Sequence, residues 1–127
     1  MKEWSTAWKA SIKPRKQRNY KKNAPLHILS KFMHMHLSKE LRKKVGARQL
    51  LVHKDDKVRI MVGNFKKKEG KVVDVDLKRG KIFVEGIECS KKDGSKARIP
   101  LEVSNCMLIA LEKEEKRIKK TKAEKKH

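Results

Sequence analysis

The sequence predicts a mainly β fold, a small barrel of about five strands with a basic, short-helical N-terminal extension and a charged C-terminal tail. Two patterns carry that reading. From His53 onward, apolar and polar residues alternate with a period of two, and glycine-containing turns interrupt the alternation at short intervals. Before His53 the apolar residues fall at helical spacing, and the basic excess is largest there. The chain therefore divides into an extension over 1–50, a barrel over 51–111 and a tail over 112–127.

Within the extension, Lys13-Pro14-Arg15-Lys16-Gln17-Arg18-Asn19-Tyr20-Lys21-Lys22 is a basic run with one aromatic and no apolar periodicity. Alone it buries too little surface to offset chain entropy, so disorder is expected until a partner orders it. Pro25 suits a first helical position, and Leu26, Leu29, Phe32, Met33 and His36 continue at helical spacing. A second short helix is expected from Ser38 as N-cap, with Leu41 and Val45 inward and Gly46 closing it.

In the barrel, Val58, Ile60 and Val62 predict a first strand, and Asn64–Gly70 a loop. Val73, Val75 and Leu77, alternating with Asp74 and Asp76, predict a second strand. Lys78-Arg79-Gly80 is a hairpin connection to a third strand through Ile82 and Val84, and Lys92-Asp93-Gly94-Ser95 is a further turn. Ala97–Leu101 and Cys106–Leu111 supply the last two strands. The tail favours helix by propensity, but Ile118 is its one large apolar residue, so it is expected to fray or to order on a partner.

Composition narrows the function. The 127 residues include 36 Lys and Arg against 15 Asp and Glu, a net charge of +21. Charged residues make up 40% of the chain, too many for a large core and enough to demand a polyanionic partner, which in a cell means nucleic acid. The excess is uneven: net +12 over Met1–Leu50, +5 over Leu51–Asn105 and +4 over Cys106–His127. The length excludes a multi-domain enzyme. The longest apolar run, Cys106–Leu111, is far short of a membrane span, and Met1–Ser11 has no apolar signal core. Two cysteines make no disulfide scaffold, so a reduced, cytoplasmic location is expected.

The most informative stretch runs from Asp56 to Val75 and joins two strands through Phe65-Lys66-Lys67-Lys68-Glu69-Gly70-Lys71. Lysines at a loop tip suit phosphate contacts, and Gly70 would permit positive φ and close approach of backbone to a ligand. Taken alone, this is equally an ordinary hairpin with a solvated tip. The stretch resembles the KOW motif of ribosomal and transcription elongation proteins. Three flanking blocks decide between those branches: Asn23-Ala24-Pro25-Leu26-His27, Leu37-Ser38-Lys39-Glu40-Leu41-Arg42-Lys43-Lys44 and His53-Lys54-Asp55-Asp56-Lys57-Val58. Their order resembles the universal KOW protein of the large ribosomal subunit, number twenty-four in bacteria and twenty-six in eukaryotes. The extension is similar to the archaeal and eukaryotic form, and the likeness covers residues 13–118.

The resemblance implies an SH3-like barrel that binds the 5′ region of the large-subunit rRNA, helps to initiate assembly and lies near the polypeptide exit tunnel among neighbouring ribosomal proteins. Two positions depart from the family: Lys67 stands where a loop glycine is usual, and Glu102-Val103 precede Ser104-Asn105 in place of His-Pro. The residues expected at the RNA are Lys66, Lys67, Lys68, Gly70 and Lys71 on the barrel. On the extension they are Lys13, Arg15, Lys16, Arg18, Lys21 and Lys22 for phosphates, with Tyr20 for base stacking.

Other chemistries find no constellation. His34 and His36 would point to different faces of a helix, and Cys89 and Cys106 lack a Cys-x-x-Cys spacing, so no metal site is expected. Gly63 and Gly70-Lys71 are too far apart for a phosphate-cradling loop, and Val72 replaces its Ser or Thr. No nucleophile, cofactor or small-molecule substrate is indicated, and no enzyme activity is expected. The competing assignment, a KOW transcription elongation module, would call for more balanced charge and a second, protein-facing domain.

Overall fold

Alternating burial sets the strands, and the computed structural model describes residues 4–125. The strands are β1 (His34–Leu37), β2 (Gln49–Leu51), β3 (Lys57–Ile60), β4 (Glu69–Asp76), β5 (Lys81–Val84), β6 (Glu88–Ser90), β7 (Lys96–Arg98), β8 (Leu101–Glu102) and β9 (Cys106–Ala110). Seven of them form one sheet in the order β2-β1-β9-β3-β4-β5-β8, while β6 and β7 make a separate hairpin. Every pairing is antiparallel except β1 with β9. Inward residues along the whole sheet meet in a single core, including Met35, Leu37, Val58, Ile60, Val72, Ile82, Val84 and Leu108. This is the mainly β, barrel-like body expected, with helices at its ends.

The strand census exceeds the predicted five because β1, β2 and the short β6–β8 segments are too brief to show alternation. The helical spacing through His36 ends early. Helix α2 (Leu26–Leu29) runs into a tight helical turn over Ser30–Met33, and His34 then starts a strand. Met33, Met35 and Leu37 are all buried, a period of two embedded at the end of a helical pattern. Helix α3 (Lys39–Val45) forms as predicted: Ser38 Oγ accepts from the Leu41 amide at 3.4 Å, and Gly46 closes the helix at φ +73°. In β4 the register shifts between Val72 and Asp74, so Val72 is the fully buried residue and Val73 and Val75 are only half-buried.

Two charged segments are more ordered than expected. Residues of the basic run form helix α1 (Pro14–Asn23), preceded by a short helical turn over Thr6–Ala10. Tyr20, Ala24 and Ile28, four apart, share one face and pack with Trp4, Trp8 and Leu29 into a second small apolar cluster. The disorder expectation fails because the two tryptophans supply the surface that the run itself lacks.

At the other end the tail forms α4 (Glu114–Lys125), whose Arg117 reaches the buried Asp56. Ile118 packs on the main core, Lys44 pairs with Glu114 at 3.7 Å, and Lys125 Nζ donates to the Gly46 carbonyl.

Candidate nucleic-acid interface

Helix α1 displays the extension's cations. Lys13 stands at its N-cap, and Arg15, Lys16, Arg18, Lys21 and Lys22 follow, all exposed. Its first turn has no acidic residue, so the positive end of the helix dipole faces a cluster of like charge. The helix is held instead by aromatic packing on its opposite face, and an external anion would relieve the repulsion.

Tyr20 belongs to that packing. It is buried, its ring centroid lies 5.3 Å from Trp4 and 6.1 Å from Phe32, and its carbonyl accepts a 3.1 Å hydrogen bond from Trp4 Nε1. The predicted base-stacking role is therefore corrected: Tyr20 has no free face to offer, and it anchors α1.

The loop between β3 and β4 is tightly tied. The Lys67 amide donates to the Ile60 carbonyl at 2.8 Å and the Ile60 amide to the Lys68 carbonyl at 2.9 Å. Phe65 packs half-buried on the core, and Lys68 Nζ lies 5.0 Å from its ring centroid, a cation–π contact. Lys67 occupies the left-handed region at φ +72°, so the turn that a glycine would serve is made here by a lysine.

Gly70 needs a different explanation from the one its loop position suggested. It lies in β4 and is absent from the positive-φ glycines. A Cβ at Gly70 would stand 2.7 Å from the Glu85 carbonyl oxygen and 2.8 Å from Val84 Cγ1. The glycine admits the neighbouring strand, and close approach of a ligand is not what requires it. Lys71, next along β4, is exposed opposite Lys57.

The ion pairs separate cations with structural partners from those without. Among the described residues, Lys44, Lys54, Lys57, Arg59, Arg79, Lys81 and Arg117 pair with carboxylates. None of the ten cations predicted for RNA is among them, and all ten are exposed. Their charge is uncompensated within the fold. Glu69 shows the contrast: hydrogen bonding from Arg59, with the charges of Arg59 and Lys57, holds its carboxyl below the usual range.

A third basic surface had no signal in the sequence beyond turn chemistry. Lys78, Arg79, Gly80 and Lys81 of the β4–β5 hairpin face Lys21, Leu29 and Phe32 across a groove of about 330 Å³. Tertiary folding alone creates it, since the two walls are more than forty residues apart in the chain.

The histidines share a strand face, because β1 replaces the expected helix, and His34 Nδ1 is 2.6 Å from the Lys31 carbonyl oxygen. Among the described residues no group of three or more His, Cys, Asp or Glu side chains could hold a metal ion. Burial pushes the Cys106 thiol up to about 11, whereas Cys89 is exposed. No described helix is long and apolar enough to cross a membrane.

Comparison with known families gives one match: the family model for the eukaryotic ribosomal protein L26 and its archaeal counterpart fits residues 11–125.

Proposed function

The chain belongs to this family of large-subunit ribosomal proteins, and on that premise we propose that it binds large-subunit rRNA directly, as a structural component without catalytic activity. The observation that carries the reading is the set of ten exposed cations with no carboxylate partner among the described residues. In a fold that pairs so many of its other cations, phosphates are the natural counter-charge.

Lys66, Lys67, Lys68 and Lys71 dock the barrel, and Lys13, Arg15, Lys16, Arg18, Lys21 and Lys22 carry α1 along the RNA. Recognition rests on phosphate and 2′-hydroxyl contacts, because side chains cannot read the deep groove of A-form RNA. In this reading the protein contacts the 5′ region of the rRNA, acts early in assembly and lies near the exit tunnel beside other ribosomal proteins, on the cytoplasmic ribosome.

A density gradient of cell lysate at moderate salt tests it. The protein is expected to co-sediment with large subunits, and recovery at the top of the gradient would overturn the proposal.

A further inference from the structure

The groove between α1 and the β4–β5 hairpin combines features that neither the lysine loop nor the α1 face has. It is walled by cations and floored by apolar side chains, with Lys21, Lys78 and Arg79 at the rim and Leu29, Phe32 and Leu77 beneath. Its carboxylate, Glu102, is taken up by Lys81 at 2.7 Å, so the groove stays basic. Arg79 lies 3.9 Å from Asp76, but its side chain is 82% exposed and can turn into the groove.

Phe32 is the unusual member. It is 42% exposed, although its ring is held by Tyr20 at a T-shaped 6.1 Å and by Lys21 Nζ at 5.3 Å. An oriented, partly open aromatic beside three phosphate-binding side chains has the composition of a site for one nucleotide. The volume, about 330 Å³, is at the small end of ligand sites and too small for a base pair.

We propose that this groove seats a single unpaired nucleotide of the bound RNA, its base against Phe32 and Leu29 and its flanking phosphates on Lys21, Lys78 and Arg79. The inference rests on the RNA-binding reading above and adds a specific element to it. Bulged and looped nucleotides present a free base face, whereas paired ones do not, so the groove would select RNA by local unpairing.

The test compares two RNA duplexes that differ by one bulged adenosine, titrated at fixed moderate salt against the full chain. The bulged duplex is expected to bind about tenfold more tightly, the scale of one base–aromatic stack. Phe32→Ala should remove the preference while keeping affinity for the plain duplex, and Phe32→Trp should retain it. Equal affinity of the native chain for both RNAs, or an unchanged preference in Phe32→Ala, overturns the site. Should Phe32→Ala lose its helical circular dichroism, the double variant Lys78→Gln, Arg79→Gln on the exposed turn decides: a reduced preference supports the site and an unchanged one overturns it. Failure of the native chain to bind either RNA overturns the RNA-binding reading and this inference together, an outcome distinct from binding without preference.

Discussion

Nη1 of Arg117 lies 2.6 and 2.8 Å from the two carboxylate oxygens of Asp56, joining the C-terminal helix to a fully buried acid at the start of the barrel sequence. The same carboxylate accepts the backbone amides of His53 and Glu112, each at 2.9 Å, and Arg117 also donates to the Leu51 carbonyl. Asp56 thus satisfies groups from three chain segments at once. Removing one partner of such a buried pair leaves the other uncompensated, at a cost of about 3–5 kcal/mol. Asp56→Ala should lower the urea midpoint accordingly and expose α4 to proteolysis. Arg117→Ala should release α4 with a smaller loss, because two amides still hold the acid. An Asp56→Ala chain with native stability and a protected tail would refute the linkage.

How much of this was legible depends on whether the determining contacts are local. The Ser38 and Gly46 caps, the lysine loop and the alternation at Val58 and Ile60 are all encoded within a few residues, and all appear where expected. The order of α1 was not legible, since it depends on Trp4 and Trp8 packing onto Tyr20 from outside the basic run. Asp56 reads in sequence as one more charged residue before a strand, and only its burial beside Arg117 reveals its role. The groove at Phe32 is illegible for the same reason, as its walls meet only through the fold.

Gly70 and Lys67 make an opposed pair. At Gly70 an added Cβ meets backbone at 2.7 Å, which cannot move cheaply, so Gly70→Ala should cost about 1–3 kcal/mol in thermal unfolding. At Lys67 the left-handed φ of +72° strains any residue with a Cβ, so Lys67→Gly should be neutral or stabilise by up to about 1 kcal/mol. The reverse ordering of the two melting temperatures would contradict both assignments.

Acid should weaken the fold through a few surface carboxylates. Glu69 is held low by hydrogen bonding from Arg59, Glu102 by hydrogen bonding from Lys81, and Asp74 by the Val75 amide and then Lys54. Their folded pKa values lie below the ordinary 4.5 and 3.8, so in that window the unfolded chain binds more protons and stability rises with pH. Their contribution is therefore complete above the ordinary values and is lost as pH falls through the folded ones. Glu69→Gln should make the acid limb of a stability–pH profile shallower; an unchanged limb would count against the Arg59 contact.

RNA affinity should fall steeply with salt, because bound cations displace counterions from phosphate. Each phosphate contact contributes about 0.7–0.9 to the slope of log K against log salt. Lys66, Lys67 and Lys68 have no carboxylate partner among the described residues, so neutralising all three should leave stability nearly unchanged. The slope should become shallower by up to about two to three. Arg59 and Lys57 provide the control on the same hairpin: they are engaged by Glu69, and their neutralisation should cost stability more than slope. If the two sets change the slope equally, freedom from carboxylate partners is not what marks the RNA-binding cations. A salt slope that survives the triple variant intact would move the contact off the lysine loop and onto α1 or the hairpin groove.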